Sequence, residues 1–271
     1  MWNRLLASLQ IRLQPRISHE GVRLFRDWCQ TPRGRKFVQS QNTAWKHIAE
    51  QLGSGYHFME LGLPLDENSE LHNQYSHCFS FTPDQADQTE RGAIANFDEL
   101  PLPSDTIDTV LLNCALDYGD QPHKILSEAS RVLLPGGYMI IVTVNPLSLF
   151  GFYAWLKRLL STQPLWQRHM FRRGRLLDWL KLLHLQPVYC VTTGYFLPAK
   201  SVNLFNKFPS AKKLLNSGHL PFAACQMIVA KKVVSRPIGL AKSNWQIAPA
   251  GEAAMHQVTH NKIEQDQQVL H

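Results

Sequence analysis

The chain has 271 residues, 44% of them apolar, and 28 lysines and arginines against 21 aspartates and glutamates, a formal net charge of +7. That apolar share is enough for a sizeable core and excludes a chain too polar to fold. No apolar run reaches the roughly 18 residues of a membrane-spanning helix, Met1 to Gln14 lacks the apolar stretch of a secretion signal, and five scattered cysteines (Cys29, Cys78, Cys114, Cys190, Cys225) form neither a disulfide framework nor a zinc spacing.

Before Tyr56 the chain reads as helical, with Phe37, Gln41, Ala44, Trp45, Ile48 and Leu52 at helical spacing and Gly53 and Gly55 as stops. His57–Leu61 is a short apolar run predicting a first strand, and Ser76–Phe81 a second, broken by Pro83. Asp84 to Gly92 reads as a surface loop or a short helix. Thr109–Cys114 is a continuous apolar run, the pattern of a strand buried on both faces. Asp120 then offers an N-cap and Pro122 suits a first helical turn. Ile125, Leu126, Ala129, Val132 and Leu133 share one helix face, and Pro135-Gly136-Gly137 is read as its end. Tyr138 to Val144 is β-branched and apolar, another buried strand. Strand, helix, strand at this spacing predicts a βαβ unit, hence an α/β domain with a mostly parallel sheet.

Beyond Asn145 the chain turns aromatic and basic. Leu149–Leu160 is amphipathic, and Leu176, Leu177, Leu180 and Leu183 form a second helical stripe. Val188–Thr193 and Ala224–Ala230 predict two further strands. Arg168, Arg172, Arg173, Arg175 and Lys181 cluster as either a solvated helix face or a binding patch, which leaves nucleic acid open as a partner. From Ser235 onward polar residues dominate, as in a flexible tail. His57, His72, His77 and His123 make no helical metal pair, so no metal site is expected, and there is no phosphate-binding loop or nucleophile elbow.

One stretch combines several of these signals: Leu100-Pro101-Leu102-Pro103-Ser104-Asp105-Thr106-Ile107-Asp108, then Val110-Leu111-Leu112, ending at Arg131-Val132-Leu133-Leu134-Pro135-Gly136-Gly137. It closely resembles the second half of a class I S-adenosylmethionine-dependent methyltransferase domain of the type 11 branch, and the likeness covers about residues 35–232. The resemblance implies a Rossmann-like fold: a mostly parallel seven-stranded sheet, a C-terminal antiparallel hairpin, and helices on both faces. It divides the chain into an N-terminal helical extension (1–34), a methyltransferase-like domain (35–234) with an aromatic and basic helical insert (145–187), and a polar tail (235–271).

The resemblance also implies S-adenosyl-L-methionine as cofactor and assigns positions to it. The family's first strand runs into three alternating glycines, which let the backbone approach the cofactor. Here that stretch is Glu60-Leu61-Gly62-Leu63-Pro64-Leu65-Asp66, in which Glu60, Gly62 and Leu63 keep their places and Pro64 and Asp66 replace the second and third glycines. The family's acidic ribose ligand has no counterpart after the second strand, leaving Ser80, Thr82 or Asp84 as substitutes. Asn96, followed by Phe97, stands where an aspartate contacts the adenine amine, and its amide oxygen can still accept. Asn113 and Cys114 end the fourth strand beside the cofactor, with Asp117 and Tyr118 facing a substrate. Asn145-Pro146 follows the fifth strand, not the fourth, and lacks the second proline of the amino-group methyltransferase motif, so it reads as a strand exit. Val144 to Gly151 resembles a small type 11 subgroup whose glycine loop is similarly eroded.

The resemblance implies transfer of a sulfonium methyl group to an acceptor that the sequence does not name, driven by alignment more than by a base; no catalytic base stands out. Two other readings stay open: a catalytically silent binding or partner module, and a nucleic-acid-associated protein. A cytoplasmic setting is expected, and the oligomeric state is not legible.

Overall fold

Runs of β-branched and leucine residues set the sheet, because strands covered on both faces must be apolar on both. In the computed structural model, which describes residues 20–66, 69–83, 92–194 and 223–233, they form β1 (Gly55–Gly62), β2 (Tyr75–Thr82), β3 (Gly92–Ile94), β4 (Ile107–Asn113), β5 (Leu133–Val144), β6 (Leu185–Thr193) and β7 (Cys225–Lys232). The sheet runs β3-β2-β1-β4-β5-β7-β6. The first five strands are parallel, and β7 inserts antiparallel between β5 and β6. The seven-stranded, mostly parallel sheet with its terminal antiparallel pair is thus as the sequence implied.

Helices α1 (Glu20–Gln30), α2 (Pro32–Gln39) and α3 (Asn42–Leu52) precede the sheet. Helix α3 buries Ala44, Trp45, Ile48 and Ala49 against one sheet face, on Phe58, Leu111, Ile140 and Met227. The other face (Met59, Leu61, Val110, Leu112, Met139, Ile141) is covered by α5 (Pro122–Val132) and α7 (Arg173–Leu182), through Ile125, Leu126, Ala129, Leu176 and Leu180. Full burial of each such side chain stabilises by about 1.5–3 kcal/mol. The one-turn helix α4 (Ala115–Tyr118) follows β4, and α6 (Leu149–Leu160) follows β5.

Two local readings need correction, and two others fall largely outside the described residues. The three-residue strand β3 begins at Gly92, the last residue of the segment read as loop or short helix, and is too short to display an alternating pattern. Residues 84–91 fall outside the described residues, as does the polar tail expected from Ser235. Helix α5 takes Gln121, not Asp120, as its N-cap, with no side-chain bond to the helix. Pro135-Gly136-Gly137 does not end that helix but lies inside β5, where the pairing with β4 shifts register and Gly136 takes φ +85°.

The Leu-Pro loop before β4 is clamped by Arg131, which donates to the carbonyls of Leu100 (3.1 Å) and Leu102 (2.9 Å) while paired with Glu128 at 2.9 Å. Asp108 pins the start of β1, its Oδ2 accepting from the amides of Tyr56 (3.2 Å) and His57 (2.8 Å). No helix of the described chain is long and apolar enough to cross a membrane.

Candidate cofactor crevice

Open parallel sheets bind ligands beyond the carboxyl ends of their strands, where strand order reverses. Here the reversal lies between β1 and β4, so Gly62 and Asn113, paired in register, mark the crevice. Gly62 has φ +96°, and a Cβ there would lie 2.3 Å from the Asn113 carbonyl oxygen. The absent side chain therefore lets the exit of β1 close on the end of β4. Leu63 donates its amide to the Asn113 carbonyl (2.9 Å) and accepts from Asn113 Nδ2 at its own carbonyl (2.9 Å). Leu65 donates to Glu60 Oε1 (3.3 Å), and His72 Nε2 lies 3.2 Å from the same oxygen, both side chains buried. Between β1 and β2 the only helical element among the described residues is a 3-10 turn at His72–Gln74. Among the described residues, no α-helix N-terminus lies in that crossover.

The sequence-predicted residues separate into two groups. Glu60, Gly62, Leu63, Asn113 and Cys114 come together at the ends of β1 and β4 and are all buried. Asp117 and Tyr118 lie one turn further on and are also buried. Ser80 lies opposite Glu60 on β2, and Thr82 two residues further along it; both are buried. Asn96 is exposed just past β3, with Phe97 turned into the core. Asp84 is outside the described residues.

Cys114 takes a left-handed conformation (φ 56°), uncommon for a residue with a side chain, and this turns the chain into α4. Its thiol is buried with those of Cys29 and Cys225. Burial pushes Cys29 up to about 12 and holds Cys114 and Cys225 well above the ordinary thiol range. Buried in this way, all three thiols pack as small hydrophobes.

Asp117 is fully buried, and its Oδ2 accepts from the Val144 amide at 2.9 Å. Burial raises its pKa from 3.8 to about 7, against the Val144 hydrogen bond and the charge of Arg168, which both favour the carboxylate. Its Oδ1 has no hydrogen-bond partner among the described residues. Tyr118 donates its hydroxyl to the Leu165 carbonyl at 3.0 Å, and burial raises its pKa.

Sequence reasoning placed Arg168 on a solvated helix face or a basic patch. The structure overturns this: Arg168 is completely buried. Its guanidinium lies 4.6 Å from the Phe25 ring centroid, 5.1 Å from Tyr118, 5.8 Å from Phe150 and 6.0 Å from Trp166. Only Nη2 is bonded, to the Leu165 carbonyl at 3.1 Å; Nε and Nη1 lack partners among the described residues. Phe25 brings α1 onto this cage, so α1 and α2 pack over the ends of β1, β4 and β5 together with Leu63, Cys114 and Val144. The clue in the sequence was an arginine set between Trp166 and Phe171. Arg172, Arg173, Arg175 and Lys181 remain exposed.

Residues 77–141 match the family described as a methyltransferase domain. A crystal structure of a SAM-dependent methyltransferase from Thermotoga maritima superposes with TM-score 0.53 at 18% identity, covering 73% of this chain and 90% of that one. The chain has a methyltransferase fold. It is 36% identical over 134 residues to the uncharacterized protein YafS of Escherichia coli K12, covering 49% of this chain and 51% of YafS. The chain thus spans about half the length of that curated relative. Over 58 residues it is 40% identical to a malonyl-[acyl-carrier protein] O-methyltransferase of Hahella chejuensis, covering 21% of each chain.

S-adenosylmethionine is the cofactor these matches imply, and the crevice fits it unevenly. Asn96, the position that the resemblance assigns to the adenine contact, has an exposed amide whose oxygen can accept a hydrogen bond. On the loop side, the amides of Leu63 and Leu65 are spent within the chain and Pro64 has none. The glycine loop therefore does not offer the backbone grip that its spacing suggests.

Proposed function

We propose that the protein is an S-adenosylmethionine-dependent methyltransferase. The observation that carries this reading is Gly62, at positive φ, standing where strand order reverses in a sheet of methyltransferase topology. The cofactor supplies an electrophilic methyl group. The chain's own part is to present Asn96 to the nucleobase and to hold the β4 exit rigid through Asn113 and Asp117. The tightly packed cluster of α1, α2 and α4 keeps water from the ends of β1 and β4. Among the described residues none at the crevice is set up as a strong base, which suits an acceptor that is already nucleophilic at working pH.

The experiment is calorimetric titration with S-adenosylhomocysteine, repeated with Asn96→Ala. Saturable binding weakened roughly tenfold or more by that substitution supports the reading, a loss of about 1.4 kcal/mol. Absence of heat and of any thermal shift at millimolar ligand overturns it.

A second reading has a specific observation behind it. With the Leu63 and Leu65 amides engaged internally, the same geometry suits a silent methyltransferase-like domain that serves as a partner module. The same titration separates the two. The nucleic-acid reading loses Arg168 and keeps Arg172, Arg173, Arg175 and Lys181; salt-dependent binding of an oligonucleotide would favour it.

A further inference from the structure

Helix α6 turns an apolar face outward. Of the twelve large apolar side chains exposed among the described residues, six lie between Leu147 and Leu160, so they form a patch and not a scatter. Five are on the helix itself: Leu149, Phe152, Trp155, Leu156 and Leu160. At about 100° per residue they span an arc of about 140°, opposite the buried Phe150, Gly151 and Ala154. Phe152 and Trp155 stack within the arc at 5.8 Å, and Leu160 is 76% exposed. Every exposed residue of the helix is apolar. A surface helix ordinarily gives water its polar side; this one buries one apolar stripe and shows a second.

The charge beside this face has one sign. Between Glu128 and Asp178 the sequence holds no acid. Lys157 borders the arc on α6, half-buried over the Tyr153 ring at 5.7 Å. Phe152 and Trp155 line a groove with His169 and Met170, and the chain runs on from Met170 into Arg172, Arg173 and Arg175, all exposed. None of these four cations has an ion-pair partner among the described residues. Asp120, an acid from outside the segment, acts on His169. Arg173 and Arg175 open α7 with no acid in its first turn, where a positive charge opposes the helix dipole. A negative surface outside the chain would reverse that cost.

The chemistry of the face selects its occupant. Protein interfaces carry about one hydrogen bond per 100–200 Å², and the Trp155 indole is the one polar side-chain group in the arc. A second copy laid on the same face would set like charges together. Nucleic acid would use the arginines and leave the leucines in water. A bilayer with anionic headgroups satisfies both, taking the arc at its acyl boundary and the cations at its phosphates.

We propose that α6 docks this protein on an anionic membrane surface, with Phe152, Trp155 and Leu156 entering the headgroup boundary and Lys157, Arg172 and Arg173 meeting the phosphates. The docking is peripheral and does not rest on the methyltransferase reading above.

The test is flotation of the full chain with phosphatidylglycerol vesicles and, separately, with phosphatidylcholine vesicles. The protein should partition onto phosphatidylglycerol at least tenfold more strongly, and the bound fraction should fall as salt rises. Phe152→Glu and Leu156→Glu, at exposed positions, should each weaken that partitioning at least tenfold while the thermal midpoint holds. Arg172→Glu combined with Arg173→Glu should weaken it on phosphatidylglycerol and leave phosphatidylcholine unchanged. Should the α6 glutamate variants fail to fold, Phe152→Ser and Leu156→Ser carry the same comparison. No flotation with phosphatidylglycerol, equal flotation with the two lipids, or unchanged partitioning in both α6 variants overturns the proposal. Self-association through α6 without flotation also overturns it, since a second copy would then cover the face. So does saturable oligonucleotide binding without flotation, since the arginines would then serve nucleic acid.

Discussion

Asp117→Asn isolates the cost of holding one carboxyl in the sealed cluster at the end of β4. In the folded chain Asp117 titrates at about 7, against 3.8 ordinarily. Above pH 3.8 the unfolded chain has released this proton while the folded chain still holds it. The folded state thus binds more protons across that window, and stability falls as pH rises from about 4 to about 7. Each pH unit is worth about 1.4 kcal/mol, so the whole window amounts to about 4 kcal/mol. Between about pH 5 and about pH 7.5 the loss is roughly 2.5 kcal/mol. Asparagine keeps the carbonyl that accepts from Val144 and replaces the acid's hydroxyl with an amide, so it mimics the protonated form without titrating. Urea unfolding at those two pH values should show the wild type losing about 2.5 kcal/mol more than Asp117→Asn. His169, whose pKa is lowered, works in the opposite direction, but it is common to both proteins and cancels. Equal pH dependence in the two proteins would refute the reasoning.

Arg168→Met removes a buried charge that has one hydrogen bond and four aromatic neighbours. Replacing a desolvated charge with an apolar side chain of similar length is often neutral or stabilising, so the thermal midpoint should hold or rise. Because Arg168 favours the Asp117 carboxylate, the same variant should move the Asp117 transition to higher pH, visible in the same unfolding series. Gly62→Ala forces a side chain onto a left-handed backbone with its Cβ 2.3 Å from the Asn113 carbonyl, and should cost about 2–4 kcal/mol by denaturant unfolding. Tyr118→Phe keeps the ring over Arg168 but leaves the Leu165 carbonyl one donor short, for about 1 kcal/mol by the same measurement.

The sheet was legible because its central strands are buried on both faces and so must be apolar without interruption, as in Thr109–Leu112 and Tyr138–Val144. The antiparallel end followed from the family resemblance, since β6 is only partly buried. What could not be read depended on partners distant in the chain. Arg168 looked like its basic neighbours, because its burial requires Phe25, Tyr118, Phe150 and Trp166 to meet around it. The Pro-Gly-Gly turn looked like a helix stop because the sequence cannot show that β4 pairs on both sides of it. In the crevice, the loss of the second and third glycines was visible, but its consequence was not. Only the register of Gly62 with Asn113 shows that the Leu63 amide is committed elsewhere.

The three sealed thiols make this chain its own gauge of opening. Cys29, Cys114 and Cys225 come from α1, the β4 exit and β7, and share one cluster. A disulfide reagent is attacked by thiolate and releases its own thiol half, and burial suppresses the thiolate at all three while the cluster stays shut. The half-buried Cys78 and Cys190 lie outside that cluster and would be modified first. The slow phase that follows would then time the parting of α1 from the sheet, without an added dye or label.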